Sequence, residues 1–116
     1  MQIVKTMKRS KVVTVVNNAT FSQTVTGADI SMKEYNNFIL TYKTGTATNS
    51  PTMDIVVQVK DSVGNYITHT SLTQVTTASS GYEEIFGLSA DTIRVVCTYG
   101  GTGSFATTTV ELTAAN

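Results

Sequence analysis

Residues 53–72 read Met-Asp-Ile-Val-Val-Gln-Val-Lys-Asp-Ser-Val-Gly-Asn-Tyr-Ile-Thr-His-Thr-Ser-Leu. From Met53 to Val59 every second side chain is apolar, and a period of two is typical of a strand with one face on a core and the other in water. Gly64-Asn65 then predicts a two-residue hairpin turn, because both residues tolerate a positive φ. An extended run resumes at Tyr66. The stretch therefore predicts a β-hairpin.

The composition favours an all-β protein. Of the 116 residues, 41% are hydrophobic and only 14% are charged, against about 25% charged in ordinary soluble domains. Hydroxyl groups replace the charges, since there are 22 Thr and 10 Ser, and β-branched Thr favours strands over helices. A chain of this length can bury about two-thirds of its unfolded surface, which is enough for a core without disulfides.

Basic side chains are concentrated at the start of the chain. The net charge is zero, which predicts neither a nucleic acid nor a membrane partner. Four of the eight basic residues nevertheless precede Val12, and no acidic residue occurs before Asp29. They are Lys5, Lys8, Arg9 and Lys11. We therefore divide the chain into a basic arm, 1–11, and one β domain, 12–116; the arm is either a mobile terminus or a docking element for an acidic surface.

Short extended segments follow one another along the whole chain. Valines cluster at 12–16, and alternating apolar residues recur at 38–42 and 92–99. Three loops of small polar residues separate such segments, at 44–52, 76–81 and 100–104. About eight short strands at this spacing predict a single antiparallel β-sandwich resembling a jelly roll.

Side chains able to do chemistry are few and scattered. His69 is the only histidine, and Cys97 lies on the apolar face of a predicted strand, where a free cysteine usually acts as a small hydrophobe. Glu83 and Glu84 are adjacent on a strand and therefore point to opposite faces. One Cys and one His do not make a zinc site without two further ligands. We therefore expect no enzyme activity, no metal and no cofactor.

Features of secreted and membrane proteins are missing from the sequence. The single cysteine excludes an intramolecular disulfide. Lys5 and Lys8 interrupt the apolar run that a signal peptide needs. No stretch approaches the roughly 18 apolar residues of a membrane-spanning helix. We expect a protein made and kept in a cytosol-like compartment, unless it leaves as part of something larger.

Four stretches stand out by their order along the chain. They are Tyr35-Asn-Asn-Phe-Ile-Leu, the small-residue loop from Thr44 to Thr52, the strand from Met53 to Lys60 with its Asp-Ser-Val-Gly-Asn turn, and Ile93-Arg-Val leading through Gly100-Gly-Thr to the last strand. Together they resemble the small β-sandwich structural proteins of tailed-bacteriophage heads, including capsid decoration proteins. The similarity covers about residues 25–113. One position departs from that pattern, because such proteins often have Trp after the Gly turn, where this chain has Tyr66.

The resemblance implies a non-enzymatic virion structural protein that binds the assembled phage head and reinforces it. The implied partner is the major capsid protein, and the implied state is a homo-oligomer such as a trimer, on the capsid surface after synthesis in the host cytoplasm. From the residues we hypothesise that the basic arm and the three small-residue loops at 44–52, 76–81 and 100–104 form the protein interface. Its candidate residues are Lys5, Lys8, Arg9, Lys11, Thr46, Thr48, Asn49 and Thr102. The alternative is a carbohydrate- or receptor-binding module of a phage fibre or tail, which would expose clustered tyrosines on one surface.

Overall fold

Two antiparallel sheets of five strands each pack face to face in the computed structural model, which describes residues 10–116. The predicted all-β sandwich is thereby confirmed. The ten strands are β1 (Ser10–Phe21), β2 (Val25–Thr26), β3 (Ile30–Ser31), β4 (Asn37–Lys43), β5 (Ala47–Thr48), β6 (Pro51–Lys60), β7 (Tyr66–Ser71), β8 (Ser80–Ile85), β9 (Thr92–Gly101) and β10 (Ser104–Ala115). The sequence predicted about eight strands; β3 and β5, which it did not predict, have two residues each, too few to show a period.

The first sheet has the strand order β1-β10-β4-β8, and β5 pairs with the start of β10. The second sheet has the order β2-β9-β6-β7, and β3 pairs with the start of β9. Every strand pair is antiparallel. Most connections between consecutive strands cross from one sheet to the other, so each sheet contains strands from both halves of the chain.

The core lies between the sheets and follows the predicted alternation. In β6 the side chains of Met53, Ile55 and Val57 are buried, and in β9 the same holds for Ile93, Val95 and Cys97. The first sheet faces them with the following residues: Phe38, Leu40, Phe105, Val110, Leu112 and Ala114. Alternate residues of these strands form the outer faces, which is the usual pattern of an antiparallel sandwich.

The central hairpin differs from the prediction at its turn. β6 and β7 pair from Lys60 and Tyr66, so the loop has five residues and the predicted two-residue turn is wrong. Gly64 alone in this loop has a positive φ, of 94°. The Asp61 carboxylate closes the loop by accepting bonds from the backbone N–H groups of Val63, at 3.0 Å, and Asn65, at 2.8 Å. This Asx-type capping by Asp61 is the physical reason for the longer loop.

β1 is the longest edge strand and begins within the segment that we assigned to the arm. Ser10 and Lys11 pair with Ala115 and Ala114 at the end of β10. The pairing is regular as far as Thr14 and becomes irregular beyond it. The rest of the predicted arm, residues 1–9, lies outside the described residues.

Candidate functional site

Three loops meet at one end of the sandwich, which we call the loop end. They are residues 44–50, 72–79 and 101–103, and none of them contains a charged residue. β4 and β9 end here, and β6, β8 and β10 begin here. The three small-residue loops that stand apart in the sequence are thus neighbours in the fold.

Thr44 ties two of these loops together. It is 3% exposed and is one of two buried polar residues within the described part of the chain. Its hydroxyl accepts a bond from the backbone N–H of Ser79, at 3.0 Å, and donates toward the carbonyl of Thr77, at 3.2 Å. The backbone N–H of Thr44 also donates to the carbonyl of Ser79, at 2.8 Å. Because a buried hydroxyl is costly unless bonded, this network holds the 72–79 loop against β4.

The other two loops approach each other closely through glycines. The N–H of Thr102 donates to the carbonyl of Ser50, at 3.1 Å. Gly101 and Gly103 have φ values of 74° and 82°, and a Cβ on Gly103 would collide with the carbonyl oxygen of Thr48. Only glycine suits such a conformation at such close range. These contacts therefore fix the backbone conformation of the two loops.

The candidate interface residues fall into separate groups. Thr46, Thr48, Asn49 and Thr102 are all exposed at the loop end, and the bond from Thr102 to Ser50 joins their two loops. Lys11 lies at the other end, since it pairs with Ala114 while Thr48 pairs with Ser104; ten residues along β10 correspond to about 33 Å. Lys5, Lys8 and Arg9 lie outside the described residues. Lys11 and the four loop residues thus lie at opposite ends of the sandwich.

A charged cluster that the sequence did not reveal lies at the end opposite the loop end. Asp29 accepts hydrogen bonds from the Tyr66 hydroxyl, at 2.6 Å, and from Lys60 Nζ, at 3.0 Å. The guanidinium of Arg94 stacks on the Tyr66 ring, 3.4 Å from its centroid. The bond from Tyr66, and then the Lys60 ammonium, lower the pKa of Asp29, while the bond to Asp29 raises the pKa of Lys60. These partners are up to 65 residues apart, from Asp29 to Arg94, which is why no local pattern shows them.

This cluster is a closed set of mutual contacts. Gln58 accepts a bond from Arg94 Nε, at 2.8 Å, and so extends the row across the outer face of the second sheet. Tyr66 is covered by Arg94 on one face and bonded at its hydroxyl. The polar groups of the cluster therefore bond to one another. Through Asp29, these bonds attach the segment before β3 to the β6–β7 hairpin.

The tyrosines do not form the platform that a sugar-binding module would need. Tyr82 is 67% exposed and lies on the outer face of the first sheet, opposite to the face that holds Tyr66. Tyr42 and Tyr99 are half-buried and pack against the core. The hydroxyl of Tyr99 donates to the carbonyl of Gly103, at 2.7 Å, and so supports the loop end from inside.

Cys97 and His69 lie in different environments, one in the core and one on the surface. Cys97 is fully buried among core side chains, and burial raises the pKa of its thiol to about 12. His69 is exposed on β7 and bonds through Nδ1 to the hydroxyl of its neighbour Thr70, at 2.7 Å. Within residues 10–116 no three His, Cys, Asp or Glu side chains are grouped closely enough to bind a metal ion. The same residues contain no helix of the length and apolarity that a membrane span requires.

Comparison with known proteins shows similarity in fold but no match in sequence. No family model and no curated protein matches this chain in sequence. The structure is similar to an SPBc2 prophage-derived protein, YomS, with a TM-score of 0.62 at 10% identity, over 99% of this chain and 100% of that one. It is also similar to a chain of infectious bursal disease virus, Gx strain, with a TM-score of 0.55 at 13% identity, over 93% of this chain and 32% of that one. A chain of the T13 particle of the same virus gives a TM-score of 0.54 at 14% identity.

Proposed function

We propose that this chain is a non-enzymatic structural protein of a phage virion that binds the assembled head and reinforces contacts between coat subunits. The observation that carries the proposal is the fold shared with a prophage-derived protein over 99% of this chain and 100% of that one, with a TM-score of 0.62. The sequence resemblance to phage-head sandwich proteins points the same way. The proposed partner is the major capsid protein, and the proposed location is the capsid surface.

The loop end suits a contact with a flat protein surface. It offers hydroxyl groups and peptide groups from Thr46, Thr48, Asn49 and Thr102, without a charge in any of its three loops. Burying such a surface avoids the cost of removing charges from water, and hydrogen bonds across the interface replace those to solvent. The tight turns at Gly101 and Gly103 hold the surface in one shape, so little order has to be gained on binding.

The basic residues at the start of the chain give a second proposed contact. We propose that Lys5, Lys8 and Arg9 bind an acidic region of the coat. Exposed charges act mainly by long-range attraction and are screened by salt. Their contribution is therefore separable from that of the loop end by ionic strength.

The first experiment measures co-sedimentation of the purified chain with empty heads of the phage that encodes it. Thr48→Lys combined with Thr102→Lys places two charges on the loop end and should abolish binding. Thr68→Lys, on the exposed outer strand β7 of the second sheet, is the matched control and should bind as the unmodified chain does. Equal binding by all three proteins would contradict the proposed use of the loop end.

The second experiment removes residues 1–9 and measures head binding at low and high salt. We expect weaker binding at low salt and a smaller response to salt than in the full chain. Unchanged affinity and an unchanged salt response would refute the basic contact. Absence of binding to heads by the full chain at any salt, together with binding to a glycan array, would replace the whole proposal by the receptor-binding alternative.

A further inference from the structure

The first sheet has two edges to which no described strand is added. Within residues 10–116, β1 pairs with β10 on one side only, and β8 pairs with β4 on one side only. None of the other backbone hydrogen bonds of the described chain reaches β1 or β8. An edge strand presents alternating unpaired N–H and C=O groups, which are a template for another strand. These two edges are therefore candidates for pairing between chains.

The two edges carry opposite charge. β1 begins Ser-Lys-Val-Val-Thr and contains Lys11, while β8 reads Ser-Gly-Tyr-Glu-Glu-Ile and contains Glu83 and Glu84. All three charged side chains are exposed. No ion pair within residues 10–116 includes Lys11 or Glu83. A basic edge and an acidic edge on the same sheet complement each other in two copies of the chain.

Both edges also expose large apolar side chains on the same face. Val12 on β1 is 60% exposed, and Tyr82 on β8 is 67% exposed. Val12 is paired with Thr113 of β10, and Tyr82 is paired with Thr41 of β4. Both pairs lie on the outer face of the sheet, because the neighbouring residues Leu112 and Leu40 are buried on the opposite face. Two exposed apolar groups at opposite edges of one face would be covered together if the edges met.

We propose that β1 of one copy pairs with β8 of a second copy and continues the first sheet from chain to chain. The regular part of β1, Ser10 to Thr14, lies antiparallel to Ser80–Glu84 of the second copy. Lys11 is then opposite Glu83 on the side of the sheet that faces the core, and Val12 is opposite Tyr82 on the outer side. This register keeps every side chain on its own face, as a pleated sheet requires.

Strand direction permits this pairing without turning the second copy over. β8, β4, β10 and β1 alternate in direction, so β1 runs opposite to β8. A second copy placed beside the first in the same orientation therefore brings its β8 antiparallel to β1. Such a contact joins two different surfaces and is heterologous, so repetition gives a closed ring or an open fibre according to the rotation between copies.

Pairing of like edges is disfavoured by the same residues. Two copies joined through β1 would bring Lys11 near Lys11, and two joined through β8 would bring Glu83 near Glu83. Like charges directly opposite each other destabilise a strand pair, whereas opposite charges contribute favourably. The charges therefore favour the pair of β1 with β8 over the pairs of β1 with β1 and of β8 with β8. Specific recognition commonly combines such attraction to the right partner with repulsion of wrong ones.

The test is sedimentation velocity across a range of protein concentration, on the full chain and on charge-reversed variants. Glu83→Lys alone and Lys11→Glu alone each replace an attraction with a repulsion, and each should weaken association about tenfold. The double variant, Lys11→Glu with Glu83→Lys, restores an attractive unlike pair and should associate as the unmodified chain does. Thr68→Lys, on the free edge of the second sheet, is the control and should leave association unchanged.

Each result decides for or against the proposal. Recovery in the double variant supports it, because a like pair of edges would still oppose two charges of one sign. A monomer at every concentration, or association that neither single variant weakens, overturns it, as does a folded double variant that fails to recover. Hydrogen exchange of the unmodified chain gives an independent measure that needs no variant: amides of β1 and β8 should become more protected as concentration rises, and equal protection at all concentrations would refute the contact.

Discussion

Gly103→Ala should destabilise the protein much more than Gly64→Ala, although both glycines have a left-handed backbone. Their φ values are 82° and 94°. In either case alanine incurs the strain of that conformation, about 1–2 kcal/mol. The two positions differ in their surroundings, because a Cβ on Gly64 would meet nothing within 4 Å, while one on Gly103 would collide with the backbone carbonyl of Thr48.

The magnitude at Gly103 follows from adding that collision to the strain. Thr48 belongs to β5, which pairs with the start of β10, so its carbonyl moves only if the pairing of the loop end moves with it. Forcing one extra carbon into a packed site costs typically about 1–3 kcal/mol. We therefore expect a loss of about 2–5 kcal/mol in the free energy of unfolding for Gly103→Ala, against about 1–2 kcal/mol for Gly64→Ala.

Urea unfolding of both variants and the unmodified chain measures these losses directly. Far-ultraviolet circular dichroism of the native proteins checks that the sandwich persists. The same proteins separate stability from function, since Gly103→Ala should also weaken head binding while Gly64→Ala, in the hairpin at the other end, should not. Equal losses in the free energy of unfolding would refute the close approach that we infer between the loops at 44–50 and 101–103.

Two further predictions concern Cys97 and Asp61. Burial raises the pKa of the Cys97 thiol to about 12 and so suppresses the reactive thiolate. A thiol reagent should therefore modify the native chain far more slowly than the urea-unfolded chain, and fast labelling of the native chain would contradict this burial. The bonds from Asn65, Val63 and Gly64 lower the pKa of Asp61, so the carboxylate stabilises the fold above its ordinary pKa of 3.8 and this contribution is lost as the pH falls through its lower folded value. Asp61→Ala should therefore lower the urea midpoint at neutral pH, with a difference from the unmodified chain that shrinks in acid; a difference independent of pH would show that the loop does not depend on the ionised carboxylate.

The parts of the fold that the sequence predicted are those with a local period. Alternation from Met53 to Val59 and from Ile93 to Cys97 correctly identified two central strands and their buried faces. Composition alone correctly excluded a helical fold, because Thr dominates a chain with few charges. The two strands that were missed, β3 and β5, have two residues each, and each pairs with a much longer neighbour.

The parts of the candidate site that were not predicted depend on contacts between distant residues. Thr44 is one threonine among 22, and nothing beside it in the sequence indicates that its hydroxyl bonds Ser79 across the loop end. The contact of Tyr66 with Asp29 likewise spans 37 residues. The pairing of Lys11 at the end of β10 was equally hidden, and it separates this residue from Thr48, with which we had grouped it.

The proposed chain-to-chain pairing has a consequence for head binding that follows from strand direction. Because the second copy keeps the strand direction of the first, the loop ends of two adjoining copies lie along the same edge of the continued sheet. A like pair of edges would need a twofold axis, which reverses the second copy and turns its loop end away. The unlike pair thus places adjoining loop ends on one side, where both can contact one coat surface, and linked contacts bind far more tightly than single ones. Glu83→Lys, which lies outside the three loops of the loop end, should therefore weaken binding to heads, and the double variant with Lys11→Glu should restore it. Normal head binding by a monomeric Glu83→Lys chain would show that one loop end is sufficient.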